Sequence, residues 1–173
     1  MERHHMTKQT NRDALNLHKI GGIIRSAKIL AKQYRQVTGR PLGITAEVAE
    51  YEGAQLLGLE LAPVRQPGYD ATRRKGSHVE HLQIKGRCIL SSKHGQRMGK
   101  IDLKKDWDGV ILVLLDADFE PFAMYEAQRP EIEEALTKSG SKARNERGAL
   151  SISKFKSIGK EVWTQRLPSN AKP

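Results

Sequence analysis

Residues from separate segments of the chain could together support hydrolysis of a phosphodiester with a divalent metal ion. Asp70 follows the turn sequence "QPGY", and Gln83 and Lys85 stand two residues apart in "VEHLQIKGRC" at 79–88. Carboxylate and amide oxygens are ligands for hard cations such as Mg²⁺. A lysine ammonium can stabilise charge that develops on a phosphate in the transition state. These residue types therefore fit metal-assisted phosphoryl chemistry.

The strand predicted at 79–90 must present these groups on one face. Side chains alternate along a strand, so an amide and a lysine two residues apart point the same way. Thirteen residues separate Asp70 from Gln83, which leaves room for a turn at "RRKGSH" and a returning strand. Such a hairpin would bring Asp70 close to the polar face, although an ordinary exposed strand could alternate in the same way. The residues of that face are His81, Gln83, Lys85 and Arg87, and His81 could also reach a substrate.

The upstream sequence predicts two helices. Apolar residues at helical spacing predict the first over 13–37, with a bend or break at Gly21 and Gly22. Thr45 is expected to cap the second, "AEVAEYEGAQLLG", and Gly58 to end it. This second helix could supply a further carboxylate to the site, from Glu50 or from Glu47.

Short extended segments fill the middle of the chain, and helices follow at the end. Strands are predicted at 59–64, after the turn at 67–74, at 79–90, at 108–116 and at 119–127. A short acidic helix from Pro130 to about Leu136 and a last helix capped by Ser151 come next. This order predicts an α/β fold with a central mixed β-sheet flanked by helices.

Length and composition limit the organisation of the molecule. The 173 residues suffice for one domain with its own core, predicted at 13–165. Residues 1–12 are expected to be disordered or tag-like, and 166–173 to form a flexible tail. The longest apolar run, "GVILVLL" at 109–115, is far shorter than the roughly 20 residues of a membrane-spanning helix. Cys88 is the single cysteine, which excludes an intramolecular disulfide and suits a cytoplasmic location.

The distribution of charge favours a polyanionic partner. The net charge is +10. Residues 65–105 carry eleven Lys/Arg and three Asp/Glu, whereas residues 106–135 carry one Arg and nine Asp/Glu. Basic stretches occur in the loop at 91–100 and at 139–159, and neither interleaves aromatic residues as single-strand binders do, since Phe155 stands alone. DNA, duplex or branched, is therefore the expected partner. The predicted contacts are Arg87, Lys93, Arg97, Lys142, Arg144, Arg147 and Lys154.

The pattern of Glu50, Asp70, Gln83 and Lys85 resembles that of the PD-(D/E)xK nuclease superfamily. That pattern has an acid near the start of a strand, an acid-x-Lys on the next strand, and often a glutamate on the preceding helix. The resemblance covers residues 45–116 and implies a restriction-endonuclease-like fold with a Mg²⁺- or Mn²⁺-dependent endonuclease activity on DNA. It implies that Asp70, Gln83, Glu50 and the Ile84 carbonyl bind metal and that Lys85 orients water or stabilises the phosphate.

Gln83 departs from the pattern, because it replaces an acid with a neutral amide and should lower the affinity for metal. Superfamily members with this variant exist, so activity remains the expectation. The alternative is a non-catalytic nucleic-acid-binding module that kept the fold, and a third reading has the basic segments bind an acidic protein. The resemblance also implies a homodimer, for which the helix at 13–37 is a suitable face.

Overall fold

A six-stranded sheet forms the centre of the computed structural model, which describes residues 3–63, 65–90 and 96–165 and omits the side chains of 3–16, 142 and 143. The strands follow one another in chain order across the sheet. Only β3 and β4 are parallel, and the other four neighbouring pairs are antiparallel. The strands are β1 (Glu60–Leu61), β2 (Ala71–Lys75), β3 (His78–Cys88), β4 (Gly109–Leu115), β5 (Pro121–Gln128) and β6 (Lys160–Thr164).

Helices cover both faces of the sheet, so the molecule is a mixed α/β structure. One apolar cluster packs α1 and α2 against one face of β3 and β4. A second cluster packs α3, α5 and the segment around Trp107 against the other face. Every residue of β4 is buried, as its apolar sequence on both faces predicts. The helices are α1 (Arg3–Thr38), α2 (Thr45–Leu57), α3 (Arg129–Thr137), α4 (Lys142–Asn145) and α5 (Ile152–Ile158).

The first helix differs from its prediction in length and continuity. It begins at Arg3, so it includes most of the segment expected to lie outside the domain. It also runs without a break through Gly21 and Gly22. A Cβ on Gly21 would lie 2.3 Å from the Tyr51 hydroxyl, so this glycine allows α2 to pack closely against α1. The predicted break was wrong because packing against α2 offsets the weak helix propensity of the glycines.

The ends of the shorter elements were predicted with mixed success. Thr45 is not the cap of α2: the helix starts at Thr45 itself, and Ile44 precedes it without a side-chain cap. Gly58 ends α2 with φ of 65°, and Ser151 caps α5 by accepting the Lys154 N–H, so both of these predictions are confirmed. The strand predicted at 59–64 is only two residues long, and β6 was not predicted.

A buried network of charges links three strands on the α1/α2 face. Arg73 on β2 donates from Nη1 and Nη2 to both carboxylate oxygens of Glu126 on β5, at 2.9 and 2.6 Å. It also donates from Nε to Glu80 on β3 at 2.9 Å. Glu80 and Glu126 are 7% and 8% exposed, and Lys75 and Gln128 complete their hydrogen bonds. The network therefore ties β2, which follows Asp70 in the chain, to the middle of the sheet.

None of the helices in the described part of the chain has the length and apolar character needed to cross a membrane. The predicted tail at 166–173 lies outside the described residues.

Candidate functional site

Asp70 lies directly before β2, and its carboxylate accepts a hydrogen bond from a β3 N–H, as the carbonyl of a paired strand would. The Asp70 N–H donates to the Leu82 carbonyl at 2.9 Å, just before the first ladder pair of β2 and β3. Its Oδ2 accepts the Ile84 N–H at 2.7 Å. The carboxylate thus satisfies a β3 donor that would otherwise lack a strand partner. This hydrogen bond holds the carboxylate against the middle of β3.

Lys85 extends toward this carboxylate. Its Nζ lies 3.9 Å from Asp70 Oδ2, and its side chain is 22% exposed. The unbroken register of β3 with β2 and β4 places Lys85 on the same face as Gln83. The structure therefore brings the predicted aspartate and lysine together, although they are fifteen residues apart in the sequence.

Gln83 occupies the position opposite Asp70 on β3, if the register of the hairpin is continued by one residue. It is one of the few buried polar residues, at 5% exposure. The described residues provide its side-chain amide with no hydrogen bond, so its carbonyl oxygen can still accept a ligand. Its amide atoms are not among the fully buried unpaired polar atoms of the described residues, so a mostly buried side chain presents an accessible amide, as a ligand position requires.

Glu50 completes the group from the helix above. The close approach of α2 and β3 requires a glycine, since a Cβ on Gly86 would lie 2.6 Å from the Ala49 Cβ. Burial and the negative charges of Asp70 and Glu47 raise the pKa of Glu50 to about 7, although Lys85 acts in the opposite direction. Glu50 is thus in the electrostatic field of both Asp70 and Lys85. Glu47, the alternative helix acid, is exposed.

The donor set of this cluster suits a hard cation. Among the residues described, no three His, Cys, Asp or Glu side chains form a group that could hold a metal ion. Any metal site here must therefore combine the Asp70 and Glu50 carboxylates with amide or backbone oxygens, such as those of Gln83 and Ile84. Such all-oxygen sets bind Mg²⁺ or Mn²⁺ in preference to Zn²⁺. The residues present fit the metal that the sequence pattern implies.

The raised pKa of Glu50 gives a prediction for the metal-free protein. A carboxyl group whose pKa is higher in the folded than in the unfolded chain stabilises the fold most at low pH, and this stabilisation is lost as the pH rises through 7. Glu50→Gln should therefore raise Tm at pH 8 by about 2–4 °C, equivalent to about 1 kcal/mol after allowance for solvent screening. At pH 4, below the ordinary pKa of 4.5, the change should be near zero. Thermal unfolding in EDTA measures it, and Glu47→Gln is the matched control with a smaller effect.

The two basic loops predicted to bind nucleic acid are neighbours in the structure. The Met98 N–H donates to the Leu150 carbonyl at 2.9 Å, and the Ile152 N–H donates to the Gln96 carbonyl at 3.0 Å. Arg87 lies beside them, with its Nε donating to the Arg97 carbonyl at 2.7 Å. Basic segments about fifty residues apart in sequence are thus neighbours. Gly99 lies next to the candidate site, because a Cβ added to it would be within 4 Å of the Lys85 and Arg87 side chains.

The remaining predicted contacts divide between these basic segments and other places. Arg147 and Lys154 are exposed in and after the second loop. Arg144 instead folds back on its own segment, where its Nη2 donates to the Lys138 and Ser139 carbonyls. Lys93 lies outside the described residues, and Lys142 is placed in α4 by its backbone only.

Comparison with known proteins adds no assignment. The sequence matches no protein-family model, and no curated protein matches it either.

Two residues beside the site, Tyr69 and Asp106, were not selected by sequence reasoning as site residues. Tyr69 is adjacent to Asp70 in the chain, which is the one signal that could have indicated it; Asp106 comes close only through folding.

Proposed function

We propose that this protein is a Mg²⁺- or Mn²⁺-dependent endonuclease that hydrolyses DNA phosphodiester bonds and has a restriction-endonuclease-like fold. The observation that carries the proposal is the convergence of Asp70 and Lys85, at 3.9 Å, beside a buried Gln83 and a Glu50 with a raised pKa. Acids and a lysine in such proximity are expected where a metal and a phosphate must bind together.

The topology supports the proposal. The resemblance implies a helix, a three-stranded meander and then a further buried strand. The chain has α2, the antiparallel strands β1 to β3, and then the buried β4 parallel to β3, in that order. The candidate residues occupy the helix, the start of β2 and the middle of β3, as the pattern requires.

Each residue has a distinct role in the proposed reaction. Asp70 is fixed by the Ile84 N–H, so one of its oxygens is held in place while the other remains a ligand. Gln83 and Glu50 add oxygens from the strand and from the helix. Lys85 places an ammonium next to the Asp70 carboxylate, where it can orient a water molecule and stabilise charge on the phosphate. The metal, when bound, would supply charge neutralisation and an activated water.

The basic residues near the candidate site favour a nucleic acid as the substrate. Arg87 lies near Lys85 beside Gly99 and donates to the Arg97 carbonyl, and Arg147 and Lys154 are exposed on the second basic segment. Phosphate contacts of this kind position a nucleic acid without reading its sequence. They also make affinity strongly dependent on salt concentration.

The proposal is tested by incubating the wild-type protein with plasmid and with branched DNA, in Mg²⁺, in Mn²⁺ and in EDTA. Cutting that requires the metal supports it. Salt-sensitive DNA binding without cutting under any of these conditions would favour the second candidate, a non-catalytic nucleic-acid-binding module. The neutral Gln83 is the observation that favours that candidate. A protein that binds an acidic protein partner would show no salt-sensitive affinity for DNA.

Gln83→Glu should convert the site to the common acidic pattern. The extra carboxylate increases the attraction for a divalent cation, and we expect Mg²⁺ affinity to rise about tenfold. The same change adds a third negative charge to a buried position and should lower stability in EDTA. Isothermal titration with Mg²⁺ measures the affinity, and Gln66→Glu, in the turn before Asp70, is the control. Unchanged Mg²⁺ affinity would show that Gln83 is not at a metal site.

A homodimer is the remaining part of the proposal. Helix α1 leaves Ile23, Leu30 and Val37 exposed at seven-residue intervals, with Tyr34 beside them. Seven-residue spacing is that of a helix–helix seam, and two copies would place one site on each DNA strand. Sedimentation of the wild type and of Leu30→Glu tests this: a dimer that Leu30→Glu dissociates supports it, and a monomeric wild type opposes it.

A further inference from the structure

The polar face of β3 continues past Gln83 to His81, and three chain segments meet around this histidine. Asp108 fixes its backbone: the His81 N–H donates to Asp108 Oδ2 at 2.7 Å, and the Asp108 N–H donates to the His81 carbonyl at 2.7 Å. The ring of Tyr69 stacks on the imidazole, with centroids 4.1 Å apart and planes 4° from parallel. Asp106 Oδ2 lies 3.4 Å from His81 Nδ1.

The loops that carry Tyr69 and Asp106 are held against each other by close backbone packing. Gly68 has φ of +103°, and a Cβ there would lie 2.6 Å from the Asp106 carbonyl oxygen. Only glycine permits this approach. Because Tyr69 directly precedes Asp70, the same packing that fixes the histidine also fixes the chain at the candidate metal site.

This arrangement leaves the outer nitrogen of His81 available to a ligand. Asp106 faces Nδ1, so Nε2 points away from it, and the His81 side chain is 30% exposed. Lys104 and Lys105, which precede Asp106 in the chain, are exposed, so this loop carries two cations as well as the Asp106 carboxylate. Residues two apart on a strand are separated by about 7 Å, so His81 is close to Gln83 without being part of the same cluster.

We infer that His81 binds, as a doubly protonated imidazolium, the substrate phosphate next to the one that is cut: Nδ1–H is directed at Asp106, Nε2–H donates to a phosphate oxygen, and Tyr69 stacks on the ring. The inference rests on the proposed function and adds a substrate contact to it. His81 lies on the Asp106 side of Gln83, and Arg87 lies on the opposite side. The substrate backbone therefore follows β3, with contacts on both sides of the cut.

The test uses a short duplex whose cut bond has been mapped, and three variants. His81→Phe keeps an aromatic ring to stack on Tyr69 but removes both nitrogens, and it should raise KM about tenfold with kcat within about twofold, as expected for a lost hydrogen bond to a charged group. Asp106→Asn should raise KM less. His78→Phe is the matched control, since it replaces an exposed histidine at the start of the same strand, and it should leave KM unchanged.

A second duplex distinguishes substrate contact from a merely structural role. It carries a neutral methylphosphonate in place of the phosphate next to the cut, tested on each side in turn. At the phosphate that His81 contacts, the methylphosphonate should raise KM for the wild type about tenfold. In His81→Phe, the same methylphosphonate should not raise KM further, because the contact is already lost. Additive effects on both sides, or an unchanged KM in His81→Phe, would overturn the inference while leaving the nuclease proposal intact.

Failure of the proposed function is recognised separately. A wild-type protein that cuts no DNA in Mg²⁺ or Mn²⁺ refutes the nuclease proposal, and the inference of a contact beside the cut is then refuted with it. Cutting that depends on Lys85 but not on His81 refutes only the inference.

Discussion

Lys85→Ala and Asp70→Asn should each lower kcat/KM for metal-dependent DNA cutting at least about a hundredfold, the usual cost of removing a group that stabilises charge in the transition state. Lys85 loses the ammonium that lies 3.9 Å from Asp70. Asp70→Asn loses the charge that attracts the metal but keeps an oxygen to accept the Ile84 N–H. The fold at the start of β2 should therefore survive both changes.

Two controls separate chemistry from binding and folding. Lys138→Ala removes an exposed lysine that directly follows α3, a helix that contributes no residue to the candidate site, and should leave cutting unchanged. DNA affinity of the two site variants, measured in EDTA across a range of salt concentrations, should remain within about threefold of wild type, because most of the proposed phosphate contacts lie on the basic loops. Wild-type rates in both variants would contradict the assigned roles.

Arg73→Met should lower the free energy of unfolding by about 3–5 kcal/mol, the effect of removing one partner of a buried ion pair. Among the described residues, the change leaves Glu126, at 8% exposure, with the Gln128 amide as its one remaining side-chain hydrogen-bond donor. Glu80 keeps Lys75 at 2.7 Å. Because Arg73 belongs to the strand that follows Asp70, cutting should fall as well. Urea unfolding at pH 7 measures the loss.

Two comparisons show whether the network is responsible. Arg74→Met changes the exposed arginine next in sequence and should cost less than about 0.5 kcal/mol. The double variant Arg73→Met with Glu126→Gln removes the unpaired charge and should recover part of the loss. Equal destabilisation by Arg73→Met and Arg74→Met would contradict the network's role.

Acid should weaken the same network. Burial alone would raise the pKa of Glu80, but the hydrogen bonds and charges of Lys75 and Arg73 outweigh burial and lower it. A carboxylate with a lowered pKa contributes stability above its ordinary pKa and loses it as the pH falls through the folded value. The difference between wild type and Arg73→Met should therefore shrink in acid.

The sequence predicted those parts of the fold that depend on local pattern. β4 is apolar on both faces and β3 alternates, so both strands and their burial followed from side-chain periodicity. Gly58 and Ser151 were identified as helix ends because their roles depend on backbone conformation and a short-range hydrogen bond.

The errors came from interactions between distant segments. The continuity of α1 at Gly21 depends on Tyr51, thirty residues later, and β6 is a strand because β5 pairs with it. The residues of an edge strand contain little information about which strand it pairs with. Short-range rules therefore could not locate these features.

The residues of the candidate site could be predicted from the sequence, but their burial, their pKa values and the segments around them could not. Periodicity and the order of elements selected Asp70, Gln83 and Lys85, and the structure brings Asp70 and Lys85 to 3.9 Å. Gln83 is buried on the face of β3 opposite the one that packs against α2, and the pKa of Glu50 is raised by burial and by the charges of Asp70 and Glu47; both depend on segments that come together only in the folded chain. The joining of the two basic loops depends on backbone hydrogen bonds across about fifty residues of sequence.

The most direct test of the central claim is anomalous diffraction from crystals of the wild-type protein grown with Mn²⁺. We predict one manganese peak within coordination distance of the Asp70 carboxylate, with oxygens of Gln83 and Glu50 around it, and no such peak in Asp70→Asn. Manganese absent from Asp70 at saturating concentration, or bound only elsewhere, would contradict the claim that these residues form a metal site.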